Sequence, residues 1–105
     1  MEALEFLKQK NAELAPNSFS RKEAISFVKK LYKLGALKVT VDPDVGEDGY
    51  PYAAATDIVL PKSLSKRLDI AVIVLSQHPD EVSALSDVMR KPDWHKGKMV
   101  SVWWD

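Results

Sequence analysis

The sequence predicts an α+β protein. The expected architecture is a two-layer α/β sandwich, an about three-stranded mixed sheet with helices on one face. Three observations carry this. A helix start signal at Ser18–Ala24 opens a long amphipathic run that ends at Gly35. Leu37 to Asp42 then alternates apolar and polar residues, the period of a half-buried strand. Lys98 to Asp105 alternates again and ends in two tryptophans, so a second well-marked strand lies at the far end of the sequence.

Composition bounds the rest. The 105 residues lie near the common size of one domain. The expectation is a single domain over 1–105, with 1–16 a peripheral N-terminal helix and 19–105 the sandwich core. Apolar residues make up 46% and charged residues 29%, as in ordinary globular proteins. Fifteen basic and fifteen acidic side chains cancel. That balance gives no general pull toward nucleic acid or anionic lipid, and no net repulsion between copies. The absence of cysteine excludes disulfides, thiolate metal sites and cysteine nucleophiles from this chain. The first residues lack a basic-then-apolar signal pattern. The longest strictly apolar run, Ala71 to Leu75, is far short of the ~20 residues of a spanning helix. A cytoplasmic protein is expected.

The elements follow in order. Ala3, Phe6, Leu7 and Leu14 predict a short amphipathic helix over 2–14, closed by Pro16-Asn17. Ser20 and Glu23 form an S-x-x-E capping box, and Phe19 before it is placed to staple onto Ala24. The helix they open shows Ala24, Phe27, Val28, Leu31 and Leu34 inward, flanked by Ile25 and Tyr32, with Gly35 as its left-handed cap. Leu37, Val39 and Val41 share the buried face of the next strand. Pro43 to Pro51, with two glycines and three carboxylates, reads as a loop. Tyr52 to Leu60 reads as one strand. Ser63 or Ser65 caps the next helix, whose expected inner stripe is Leu64, Leu68, Ala71, Val72 and Leu75. Ile70, Ile73 and Val74 widen its apolar surface beyond one face, which predicts cover from a second side. His78-Pro79 breaks it, and Asp80 to Met89 reads as a shorter helix. A strand, a helix and a strand in one sheet imply a parallel crossover. The resulting order is ferredoxin-like with its first strand missing or short, and Asn11 to Ala15, poor in β-formers, is the one stretch that could supply it.

Little in this chain points to chemistry. Asp42, Asp44, Glu47 and Asp48 are spaced wrongly for an EF-hand, since Glu47 stands where its glycine belongs and Ala53 where its last glutamate belongs. No glycine-rich phosphate loop, G-x-S-x-G or H-E-x-x-H occurs. No metal, cofactor or catalytic set is therefore assigned. His95 with Asp93 or Asp105 is one acid–base pairing to consider, as for a hydrolase. Trp94 and His95 among Arg90, Lys91, Lys96 and Lys98, with Trp103 on the sheet, offer a thin platform for single-stranded nucleic acid. No RNP-type motif accompanies it. Nucleic acid and membrane are not the expected partners.

Four stretches together carry a resemblance: Phe19-Ser20-Arg21-Lys22-Glu23-Ala24, Val28 through Ala36, Asp57-Ile58-Val59-Leu60-Pro61, and Trp103-Trp104-Asp105. In this order they resemble an uncharacterised family of small bacterial α/β proteins ending in a W-W-D motif. The resemblance covers residues 17–61 and the C-terminal residues, and 62–97 departs from it. It implies a fold but no activity and no site residues.

The functional expectation is a small non-enzymatic protein-binding or regulatory module. Its partner is another protein or a second copy. The candidate partner surface comprises Trp103, Trp94, His95, Asp44, Glu47, Asp48 and Tyr50, with Ile70, Ile73 and Val74 as helix positions a partner could cover. An immunity-type protein, whose acidic loop neutralises a basic toxin, is the alternative by analogy.

Overall fold

The computed structural model describes residues 1–83 and 98–104. Its elements are α1 (Ala3–Leu7), β1 (Glu13–Leu14), α2 (Arg21–Lys33), β2 (Lys38–Thr40), β3 (Asp44–Val45), β4 (Pro51–Ala53), β5 (Ala55–Val59), α3 (Leu64–Ser76), β6 (Glu81–Ser83) and β7 (Met99–Trp103). The fold is α+β.

Helix α2 forms where its local code is complete. Ser20 Oγ accepts the Glu23 N–H at 3.1 Å, and the Glu23 carboxylate accepts the Ser20 N–H at 3.0 Å. These bonds hold the Glu23 carboxyl below its ordinary value. At the other end Ala36 N–H reaches Leu31 O and Gly35 N–H reaches Tyr32 O, a Schellman closure that needs the positive φ of Gly35.

Two sheets follow. The larger has the order β2-β5-β7-β6, and each neighbouring pair is antiparallel. β5 and β6, on either side of α3, therefore run the same way. The parallel crossover expected between Tyr52–Leu60 and the terminal strand is not formed: β5 and β7 pair antiparallel, and the strand that runs parallel to β5 across α3 is β6, with β7 inserted between them. This is the order of a ferredoxin-like sheet with the last strand in the sequence standing where the first would be. The mixed three-stranded sheet is a separate, smaller one, β1-β4-β3, with β1 parallel and β3 antiparallel to β4.

Several expectations change. The helix predicted over 2–14 stops after Leu7. Asn11 and Ala15 take positive φ, and Glu13–Leu14 between them is a strand. Residues 1–16 are not peripheral, because Ala3, Phe6, Leu7, Ala12, Leu14 and Ala15 all enter the core. Pro43 to Pro51 is a hairpin rather than a loop. Gly46 N–H bonds Tyr50 O, Asp48 accepts the Tyr50 N–H, and Gly49 has the positive φ of the turn. The strand predicted at Tyr52–Leu60 bends at Ala54 and serves both sheets. Leu37 precedes the pairing of β2 and is exposed, although Val39 and Val41 are buried. The helix predicted at 80–89 begins as β6 instead, drawn into register with β7 so that Val82 lies opposite Val102. Residues 84–89 lie outside the described residues.

The inner face of the large sheet carries Val39, Thr56, Ile58, Val100 and Val102, all buried. Trp104 follows β7 and is almost wholly buried. Its ring meets Phe19 and Phe27 edge-on at 5.3 and 5.8 Å, its Nε1 donates to Gln77 O at 3.3 Å, and its backbone N–H bonds Ala54 O. One side chain thus ties α2, the end of α3 and the junction of the two sheets. Trp104→Ala is expected to cost about 3–5 kcal/mol, read from the urea midpoint.

The free edge of β2 is closed by Tyr32. Its hydroxyl accepts the Val39 N–H at 3.0 Å and donates to Glu2 at 2.6 Å, while Val41 N–H pairs with Met1 O. Burial works to raise the Glu2 carboxyl, but the Tyr32 hydroxyl and the N–H groups of Glu5, Leu4 and Ala3 outweigh it and hold it below 4.5. Burial, then the bond to Glu2, pushes the Tyr32 phenol up. The pair therefore adds stability above the ordinary carboxylate range, which is lost as the pH falls through the depressed value. Tyr32→Phe is expected to lower stability by about 1 kcal/mol at neutral pH. The gap to wild type should narrow in urea titrations run below pH 4.5, the ordinary carboxyl value.

Candidate interaction surface

Three surfaces hold the residues singled out from the sequence. The first is the outer face of the large sheet. Register places Thr40, Asp57 and Ser101 in a middle row, with Ala55 and Trp103 in the row on one side of it and Lys38, Val59 and Met99 in the row on the other. Ser101 Oγ donates to Asp57, which fixes the middle of the face. Trp103 and Met99 are exposed on either side of that pair. The alternation of the sequence had put Trp103 outward and Trp104 inward, and both are so placed.

The second surface is the β3–β4 hairpin. Asp44, Glu47, Asp48 and Tyr50 are all exposed there. The hairpin and Glu13 of β1 border an open cleft of about 720 Å³, into which Tyr52 also faces. Asp44 accepts the Val45 N–H and Asp48 that of Tyr50, so two of the carboxylates are engaged in holding the turn. Among the described residues no three of His, Asp or Glu gather as an ion would require. Trp94 and His95, like Asp93 and Asp105, lie outside the described residues. The candidate surface is therefore divided: Trp103 belongs to the sheet, and the acidic group belongs to the hairpin.

The third surface is on α3, and here the sequence reading placed the faces wrongly. The buried stripe is Arg67, Ile70, Ala71 and Val74. Ile70 and Val74, expected to be covered by the N-terminal helix or by a partner, are in the core, and Ile73 is half-buried against it. Leu64, Leu68, Val72 and Leu75, expected inside, face solvent. The cause is Arg67. As a cation it marks a polar face in any pattern, yet its Nε donates to the carbonyl of Pro61 and its stem packs inward. The core-facing positions are thereby i, i+3, i+4 and i+7 counted from Arg67. A second apolar stripe is left outside. Hydrophobicity showed two stripes on this helix but contained no signal for which one the core would take.

One buried polar atom needs an account. Thr56 Oγ1 is fully buried and has no hydrogen-bond partner among the described residues. It lies on the inner face of β5 beside Val102, and none of the clefts described above borders it. The hydroxyl thus occupies a position suited to a methyl group. Among the described residues no helix is long and apolar enough to cross a membrane. No protein-family model matches the chain, and no curated protein or solved structure matches it either.

Thr56→Val keeps the shape and removes the orphaned hydroxyl. It is expected to raise stability by about 1 kcal/mol in chemical denaturation, with an unchanged slope.

Proposed function

We propose that this chain is a small non-enzymatic protein-binding or regulatory module of the cytoplasm. The observation that carries this reading is the second stripe of α3. A helix on a two-layer fold needs one buried stripe, and α3 has one. Its additional row of Leu64, Leu68, Val72 and Leu75 contributes nothing to the core and exposes contiguous aliphatic surface. Patches of this kind on otherwise ordinary surfaces mark contact sites. Trp103 and Met99 on the sheet add a smaller apolar area. Trp104 serves the fold, and Trp103 is available for contact.

A second reading is favoured by the hairpin. Glu13, Glu47 and Asp48 border a cleft with Tyr50 and Tyr52, a surface chemically suited to a basic segment, as an immunity-type protein would need. The nucleic-acid reading has less support, since Asp57 stands in the row next to Trp103 and opposes phosphate there. The hydrolase reading rests on His95 with Asp93 or Asp105, which lie outside the described residues.

The two supported readings separate in one capture experiment from source lysate, using wild type, Leu68→Lys and Asp48→Lys. The module reading expects the captured protein to be lost with Leu68→Lys and kept with Asp48→Lys. The immunity-type reading expects the reverse. Identical capture by all three sinks both.

A further inference from the structure

We propose that the groove between α1 and α2 is a binding site for a free medium-chain carboxylate, with its head at Arg21 and its aliphatic tail directed toward Tyr32. The site lies apart from the α3 row and from the hairpin, and it goes beyond the protein-binding reading.

Two side-chain bonds bound the groove. Arg21 Nη1 donates to Gln9 O at 2.9 Å, and the Tyr32 hydroxyl donates to Glu2 at 2.6 Å. The start of α2 therefore lies beside the end of α1, and the end of α2 beside its start. Arg21, Ile25, Lys29 and Tyr32 recur at steps of four, four and three, so they share the face of α2 that borders the groove. By the rise of the helix, the two bridges stand about 16 Å apart. The groove has a volume of about 580 Å³, within the ~300–1,000 Å³ usual for small-ligand sites. Bridged at both ends, it suits a short molecule better than a segment of protein running through it.

The floor is apolar. Leu7 is buried there, and Leu4 and Ile25 pack on the core with one side and line the groove with the other. An aliphatic chain laid along them removes further apolar surface from water.

Charge sets the head group and its direction. Both carboxylates that line the groove have partners. Glu5 pairs with Lys8 at 3.2 Å, and Glu2 accepts the Tyr32 hydroxyl and the Glu5 N–H. The cations are less engaged. Arg21 has five N–H donors, of which the bond to Gln9 O uses one. Lys29 has no carboxylate within ion-pair distance among the described residues. Lys8 caps the end of α1, the same end at which Arg21 stands. An incoming carboxylate is thus attracted at the Arg21 end, where the free donors of the guanidinium match its two oxygens. At the other end the ionised Glu2 repels it, which leaves that end to the tail.

Titration of the full chain with octanoate and decanoate, followed in amide proton–nitrogen correlation spectra, tests this. The shifts should concentrate on α1 and α2 and saturate as for a single site. Decanoate, with two more methylenes to bury, should bind about tenfold tighter than octanoate. Octanol and octyltrimethylammonium share the tail but not the anionic head, and should bind about tenfold more weakly than octanoate. Arg21→Gln should weaken decanoate binding about tenfold and Lys29→Gln, at an exposed position, about threefold, each with an unchanged circular dichroism spectrum. Leu68→Lys should leave it unchanged. Shifts centred on α3 or on Trp103 overturn the site. An equal response to octyltrimethylammonium overturns the carboxylate as ligand. A larger loss with Lys29→Gln than with Arg21→Gln overturns the direction of the ligand, and binding indifferent to both overturns its placement. Absence of saturable binding removes the proposal altogether. Lysate capture through Leu68 is read separately, so the protein-binding reading stands or falls without these outcomes.

Discussion

The placement of β7 in the middle of the large sheet is the constraint on which the rest of this structure depends. β5 and β6 do not touch each other, and each pairs only through β7 on the sides that face one another. The strand late in the sequence thus completes a sheet whose other members come earlier. Trp104, one residue past the strand, secures that insertion by packing on Phe19 and Phe27 and reaching the end of α3. Aromatic rings meeting edge-on contribute beyond the area they bury. Here they join two helices and both sheets at one point. Many of the contacts are correspondingly long-range in sequence, which favours slow and cooperative assembly over local folding.

The opposite edge of the sheet is closed by different means. β2 has no neighbouring strand beyond residues 1 and 2, and its Val39 N–H is met by the Tyr32 hydroxyl. The bond from Tyr32 to Glu2 carries the same contact on to the residues that start α1. A free edge invites pairing with another chain, and this arrangement meets two of the N–H groups that β2 would otherwise offer there.

The side-chain surfaces have different characters. The outer sheet face is crossed by the Ser101–Asp57 hydrogen bond, and its apolar residues are separated by that polar pair. The acidic residues of the hairpin hold the turn as well as face solvent. Among the described residues, α3 exposes an uninterrupted row of aliphatic side chains, Leu64, Leu68, Val72 and Leu75. The exposed apolar surface lies more on this helix than on Trp103.

The sequence by itself determined α2, its caps, the outward and inward roles of Trp103 and Trp104, and the alternation of β2 and β7. These are local matters, settled by hydrogen bonds three or four residues apart or by a two-residue period. Tertiary structure decided what had no local signal. Glu13–Leu14 became a strand because β4 offered it a parallel partner, despite poor propensity. Tyr52–Leu60 was divided between two sheets at Ala54. Glu81–Ser83 extended because β7 had an open side. Arg67 went inward because the Pro61 carbonyl could receive it, and that turned α3 so that its leucines face out. Each of these outcomes depends on a partner distant in sequence, and periodicity does not record which of two apolar faces such a partner will choose.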